Sequence, residues 1–315
     1  MSGKKIICVV GPTGCGKTKM GVLLAKKLGG EVVSCDSMQI YRGMVIGTAA
    51  PTAEETEGIP HHMVGVADPG EEYSVARYAR EAGACVEDIF ARGKQPIIVG
   101  GTGLYLDALI RGQDFAGGMS GGKVREELYA RLGEKGLDAL YEELKAIDPA
   151  AAERLHPNDE KRIVRALEVW YETGKTITQH NEETKAVPPR YEPIYLGFAY
   201  EDREEMKRVI DLRVDKMVEE GLFEEVEALL ARGLPTTTTA LAAIGYKECI
   251  DFFEGRRAKE ETVAEIKLRS RQYAKRQLTW LRRNEAIHWF HWQQTRDFAA
   301  AEQFSTKILK DYGVC

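Results

Sequence analysis

The chain has 315 residues, 43% hydrophobic and 30% charged, with a formal net charge of −5. Such a length and composition exclude a disordered chain and allow one large or two smaller domains around a sizeable core, while the acidic balance means that any nucleic-acid role must rest on a local basic patch. No apolar run approaches membrane-spanning length, and two lysines before a five-residue apolar strand do not make a secretory signal, so a cytoplasmic protein without membrane contact is expected.

Ile6 to Val10 reads as a strand, and Gly11-Pro12-Thr13-Gly14-Cys15-Gly16-Lys17-Thr18 directly after it matches the phosphate-binding loop pattern in full. Strand, glycine-rich turn and helix is the context that confirms such a match. Backbone N–H groups there converge on a di- or triphosphate, Lys17 adds a mobile positive charge, and the Thr18 hydroxyl is placed for Mg²⁺. The loop implies that a diphosphate is held, but not what happens to it.

A second strand, Glu31 to Cys35, runs into Asp36-Ser37-Met38-Gln39. If the two strands are neighbours, Asp36 lies beside the phosphate loop. A general base or metal-water ligand and a simple helix cap are equally good readings of it. His61-His62 follows Pro60 but has no third ligand at metal spacing. A third strand, Pro96 to Val99, ends in Gly100-Gly101-Thr102-Gly103, where a phosphate-loop ATPase often carries an acidic residue for Mg²⁺. Its absence weakens an ATPase or GTPase reading. Glycines at a strand end allow close backbone approach to a ligand, and Thr102 offers a hydroxyl.

This alternation of strands and helices predicts a phosphate-loop NTPase-like α/β fold, a parallel sheet flanked by helices. From Phe115 to Lys123 the composition shifts to a glycine-rich linker, and from Val124 to about Thr178 the pattern is helical. Asp148-Pro149 is a helix start signal, and residues 163, 164, 167 and 170 place apolar side chains at helical spacing. A strand pattern returns at Pro193 to Phe198, ahead of three further helical stretches. The expected organisation is a discontinuous core, 1–114 and 192–315, with an inserted helical domain at 115–191.

On the helical stretch Asp202 to Glu220, Arg213 has Ile210, Val214 and Met217 as neighbours, so it lies at or within an apolar stripe. A guanidinium beside a diphosphate and a stem packed on the core with its head in water fit equally. Between Ile266 and Arg283 stand Lys267, Arg269, Arg271, Lys275, Arg276, Arg282 and Arg283 with no acidic residue, a footprint suited to a phosphate backbone or to a solvated face. Tyr273 and Trp280, seven apart, read as core rather than base-stacking platforms. Lys161, Arg162 and Arg165 form a second basic cluster. The six cysteines show no metal or disulfide spacing and are expected to be free thiols.

Taken together, Gly11 to Thr18, Asp36 to Met44 with Ile46-Gly47-Thr48, Pro60-His61-His62, Gly100 to Tyr105, Arg162 to Glu168, Ile244 to Glu248 and Ala274 to Gln277 with Thr279-Trp280 resemble bacterial tRNA dimethylallyltransferases, also called tRNA isopentenyltransferases. The resemblance runs through most of the chain. Val45 and Ala50 stand where the family usually has Asp and Lys, and Cys15 replaces the more common Ser.

The resemblance implies transfer of a dimethylallyl group from dimethylallyl diphosphate to N6 of adenosine 37 in tRNA, with release of diphosphate. The loop Gly11 to Thr18 then holds a leaving group, whose growing charge Lys17, Arg213 and Mg²⁺ stabilise, Thr18 serving the metal. Asp36 accepts the amine proton. Ser37, Met38 and Gln39 border the flipped base, Thr102 and Arg125 lie near the RNA, and Lys161, Arg162, Arg165, Arg271, Lys275 and Arg276 contact its backbone. The helical insertion is expected to close on the tRNA, and the protein to act as a monomer. A phosphate-loop small-molecule or nucleotide kinase is the enzymatic rival, and an RNA-binding regulator switched by nucleotide is the non-enzymatic one.

Overall fold

The runs of β-branched residues at 5–10, 31–35 and 96–100 are buried on both faces, as strands of a parallel sheet covered on both sides must be. A computed structural model describes residues 4–112 and 122–314; most of the expected linker, including Phe115, lies outside the described residues. In chain order the elements are β1 (Lys5–Val10), α1 (Lys17–Leu28), β2 (Glu31–Cys35), α2 (Ala53–Thr56), β3 (His61–His62), α3 (Val75–Ala91), β4 (Pro96–Gly100) and α4 (Gly103–Arg111). Four helices follow, α5 (Lys123–Ile147), α6 (Pro149–Arg154), α7 (Glu160–Thr173) and α8 (Ile177–Ala186). The chain then forms β5 (Glu192–Tyr200), α9 (Arg203–Glu219), α10 (Leu222–Leu230), α11 (Tyr246–Phe253), α12 (Lys259–Leu281), β6 (Ile287–Trp292) and α13 (Phe298–Asp311).

Among the described residues the six strands are all parallel, in the order β3-β2-β4-β1-β5-β6. The chain leaves β1 for β2 on one side and later returns to β5 on the other, so the carboxyl end of β1 lies at a switch in winding direction, where ligands of open α/β sheets bind. Alternate residues of each strand feed two cores. Ile6, Cys8 and Val10 pack with Tyr78 and Val86 of α3 and Leu106 of α4; Ile7 and Val9 pack with Met20 and Leu24 of α1, Ile210 of α9 and Leu278 of α12.

Two features depart from the expected pattern. Between β5 and the end of the described chain there are five helices rather than three, because the left-handed Gly221 (φ 101°) separates α9 from α10 and a long turn region separates α10 from α11. The aromatic and histidine-rich segment Ile287–Trp292 adds β6, which pairs with β5 along its length. Its mixed burial hides it from an apolar-run search.

By chain contacts the protein divides into residues 1–110 with 190–315, and residues 111–189. The second unit is helical and has its own core, centred on Leu128, Leu140, Leu144, Ile163 and Leu167. Asp148 caps α6, its side chain accepting a hydrogen bond from the Ala151 N–H at 3.0 Å, with Pro149 at the first helical position. The long helix α5 is broken at Gly136.

Candidate active site

β1 ends in the glycine-rich loop, and α1 starts from Gly16, whose φ of 82° is left-handed and favours glycine. The loop's carbonyls are tied back from several sides. Trp292 Nε1 donates to the Cys15 carbonyl at 2.8 Å, Arg296 donates to that of Gly14, and Lys17 Nζ donates to that of Pro12 at 2.7 Å. Restraining the carbonyls in this way leaves the N–H groups at the start of α1 as an anion seat, reinforced by the helix dipole.

Gln277 of α12 adds a clamp on the other side. Its Oε1 accepts the Thr13 N–H at 2.8 Å, and its Nε2 donates to the Gly101 carbonyl at 3.1 Å, tying the loop after β1 to the loop after β4. A Cβ at Gly101 would lie 2.3 Å from that amide nitrogen, so glycine is needed there.

Lys17 and Arg213 are each partly buried at this seat. Burial pushes the Lys17 ammonium below its usual range, and the neighbouring Arg213 and Arg296 charges act in the same direction, against Cys15 and Asp36. Burial likewise lowers the Arg213 guanidinium, with the Asp36 charge the strongest opposing influence. Among the described residues, no carboxylate lies within ion-pair distance of Arg213. Two desolvated cations without a paired anion are costly in an empty protein and suit a polyanionic ligand.

Asp36 follows β2 and acts electrostatically on both Lys17 and Arg213, so the four residues expected to do the chemistry, Lys17, Thr18, Asp36 and Arg213, come from one end of the sheet. One Asp36 oxygen accepts the Met38 N–H at 2.9 Å, fixing the carboxylate while leaving its second oxygen for a proton. Beside it, Thr102 Oγ1 accepts the Ser37 N–H at 3.2 Å. Tyr273 of α12 interacts with Thr102, and burial together with the Asp36 charge pushes the phenol up to about 12. Trp280 packs over Gly103, where a Cβ would lie 2.2 Å from the indole. Tyr273 and Trp280 therefore wall the site as well as covering core. Val10, Cys35, Ile98, Leu106 and Leu281 make the adjoining narrow space apolar.

The residues expected to meet RNA divide into distinct groups. Gln39 has its amide engaged internally, accepting from Ser34 Oγ at 2.9 Å and donating to the Ala49 carbonyl at 3.1 Å. Arg271 is held by Asp211 at 2.6 and 2.7 Å. Lys275 and Arg276 stand exposed one turn further along α12, Arg276 over the Tyr273 ring. In the helical unit, Arg125 and Arg165 both donate to the buried Glu168 carboxylate at 2.6 Å, while Lys161 and Arg162 are exposed. His62 Nε2 meets Glu31 at 2.7 Å and His61 Nδ1 meets the Ile59 carbonyl at 2.8 Å. Gln277 lies in the motif Ala274 to Gln277, whereas no local sequence signal marks Trp292 or Arg296 as site residues.

With this geometry in place, similarity to known proteins is informative. The family described as IPP transferase matches residues 39–284, and the one described as isopentenyl transferase matches residues 4–63. The tRNA dimethylallyltransferase of Geobacillus thermodenitrificans is 46% identical over 307 residues, 97% of this chain and 94% of that protein. That of Alkaliphilus oremlandii is 43% identical over 309 residues, 98% and 97% of the two chains. Among solved structures, the tRNA isopentenylpyrophosphate transferase of Bacillus halodurans matches at 40% identity and a TM-score of 0.73, covering 98% of both chains. A eukaryotic dimethylallyltransferase acting on tRNA matches at 31% identity and a TM-score of 0.82, covering 98% of this chain and 79% of that one.

Proposed function

The chain belongs to the tRNA dimethylallyltransferase family, and on that premise we propose that it transfers a dimethylallyl group from dimethylallyl diphosphate to N6 of adenosine 37 in tRNA. The observation that carries the proposal is the diphosphate seat, in which Lys17 and the unpaired Arg213 are partly buried at the glycine-rich loop with Asp36 acting on both. It suits a substrate with a polyanion at one end and a reacting atom near a carboxylate. The β4 loop, Gly100-Gly101-Thr102-Gly103, presents no carboxylate to a nucleotide-bound metal, which favours a diphosphate leaving group over ATP chemistry.

The adenine amine attacks C1 of the prenyl group as the C1–O bond breaks, and that electron pair leaves with the diphosphate. Negative charge then grows on the seat formed by the loop N–H groups, Lys17 and Arg213. Each well-placed donor to such a developing charge is worth roughly 3 kcal/mol. The proton on the attacking nitrogen passes to the free oxygen of Asp36, leaving a neutral secondary amine.

The adenine reaches the site by leaving its stack, at a cost of a few kcal/mol. Lys275 and Arg276 on α12, and Lys161 and Arg162 on α7, offset that cost through backbone contacts. Arg125 and Arg165, oriented by Glu168, add further donors to the RNA. Ser37 and Met38 border the base, and Gln39 supports them from behind.

Mg²⁺ fits this chemistry. Among the described residues, no group of three or more His, Cys, Asp or Glu side chains could hold a metal ion. Thr18, at the start of α1, would hold the ion through its hydroxyl. When bound it supplies further neutralisation of the departing diphosphate. No helix among the described residues is long and apolar enough to cross a membrane.

Incubating the protein with unmodified tRNA and dimethylallyl diphosphate labelled in the prenyl group tests the proposal. Label in the tRNA supports it; label remaining with diphosphate, alongside ATP consumption on a small acceptor, would support the kinase reading instead.

A further inference from the structure

Two of the sequence motifs, Ile46-Gly47-Thr48 and Ile244-Gly245-Tyr246-Lys247-Glu248, have no part in the chemistry described above, yet they meet at one carboxylate. Glu225 on α10 accepts the N–H groups of Val45 and Ile46 at 2.8 Å each on one oxygen, and that of Gly47 at 3.1 Å on the other. The Tyr246 hydroxyl donates to the second oxygen at 2.6 Å. Three consecutive backbone N–H groups converging on an anion form a nest, here filled by a side chain of the protein itself. Tyr246 is fully buried, and burial with the neighbouring Glu225 charge pushes its phenol up, so it remains a donor. Its ring lies so close to Gly47 that a Cβ there would come within 2.5 to 2.8 Å of it.

The far side of the same turn is tied to the catalytic loop. Gln39, three residues after Asp36, donates from Nε2 to the carbonyls of Ala49 at 3.1 Å and Thr48 at 3.4 Å, and its Oε1 accepts from Ser34 Oγ at 2.9 Å. Ala49 has a φ of 44°, which an alanine adopts only when its surroundings enforce it. The path therefore runs from Glu225 through the turn 45–49 to Gln39, and three residues back along the chain to Asp36. The hydrogen bond from Val45 to Glu225 uses its backbone alone.

We infer that Glu225 and Tyr246 are positioning residues that hold the 36–50 segment so that the Asp36 carboxylate meets the amine of the flipped adenine. The inference rests on the transferase reading above. Both oxygens of Glu225 and the Tyr246 hydroxyl are engaged within the protein, so they act through the segment they hold. Their effect should appear in the chemical step with the RNA in place, whereas the diphosphate seat, built on β1, α1, α9 and α12, should be indifferent to them.

The test uses the full chain, with single-turnover prenyl transfer at saturating tRNA, inorganic diphosphate titrated in parallel, and thermal melting of each variant. Glu225→Gln removes one of the two carboxylate acceptors, and Tyr246→Phe removes a single hydroxyl while keeping the buried ring. The expected result is a single-turnover rate reduced at least tenfold in Glu225→Gln and about threefold or more in Tyr246→Phe, with diphosphate affinity within twofold of the unmodified protein. Rates within twofold in both variants would overturn the inference, as would diphosphate affinity falling in step with the rate, which marks general damage. An unmodified protein that transfers no prenyl group would instead overturn the transferase reading, and this role with it.

Discussion

The Thr13 N–H donates to Gln277 Oε1 at 2.8 Å, although 264 residues separate them in the chain. Because the same amide donates to Gly101, a helix expected to face RNA is fastened to the loop expected to hold diphosphate. Gln277→Leu removes both bonds and strands the part-buried Thr13 N–H and the buried Gly101 carbonyl, a loss of about 1–3 kcal/mol. The KM for dimethylallyl diphosphate should rise by roughly tenfold or more, as measured by steady-state kinetics at saturating tRNA. An unchanged KM would mean that the clamp does not shape the seat.

Arg213 should trade stability for function. Arg213→Met removes an unpaired, partly buried cation, so the ligand-free protein should melt about 1 °C higher, the effect of somewhat under 1 kcal/mol in a chain of this size. Prenyl transfer should fall by about 10²–10³. Arg213→Lys should not restore it, since an ammonium lacks the planar fork of donors. Differential scanning calorimetry alongside the transfer assay checks both halves.

The basic helix makes a graded prediction. Arg271 is already held by Asp211, whereas Lys275 and Arg276 stand exposed. Lys275→Ala and Arg276→Ala should each weaken tRNA binding and reduce the salt dependence of log K by about one unit per lost phosphate contact. Arg271→Ala should do less. Equal effects of all three on filter-binding curves across a salt series would show that the Asp211 pair opens in the complex.

Acid stability should depend on Glu31, at the opposite end of β2 from the site. Its buried carboxylate meets Arg92, Lys94 and His62, and the Arg92 hydrogen bonds above all hold it well below its usual 4.5. A depressed carboxylate contributes stability that is present above its unfolded value and lost as pH falls toward the folded one. Stability should therefore decline below about pH 4.5, and Glu31→Gln should flatten that limb while lowering neutral stability by about 2 kcal/mol, a figure reduced from the buried-pair range because Arg92 and Lys94 are partly exposed. Urea unfolding at pH 7 and pH 4 measures both.

How much of this could be read from sequence depended on whether the signal was local. The loop Gly11–Thr18, Asp36 at a strand end and Thr102 beyond a glycine pair are short patterns tied to β-rich runs, and Arg213 betrays itself as a cation on an apolar stripe. Gln277, Trp292 and Arg296 act through contacts to Thr13, Cys15 and Gly14 that only folding creates. Strand β6 was missed because an edge strand rich in Trp and His alternates weakly, and β3 because it has two residues. The basic residues looked alike in sequence. Only the structure separates Arg125, Arg165 and Arg271, already bound to Glu168 or Asp211, from the exposed Lys161, Lys275 and Arg276.

The central claim, that the diphosphate seat and Asp36 together prenylate an adenine, is tested most directly by mass spectrometry of nucleosides from unmodified tRNA treated with dimethylallyl diphosphate, Mg²⁺ and either the protein or its Asp36→Ala variant. The account predicts one dimethylallyl group on N6 of adenosine 37 with the protein, a yield reduced by about 10²–10⁴ in the variant, and tRNA binding largely retained. Unmodified adenosine with the protein itself, or full activity in Asp36→Ala, would contradict it.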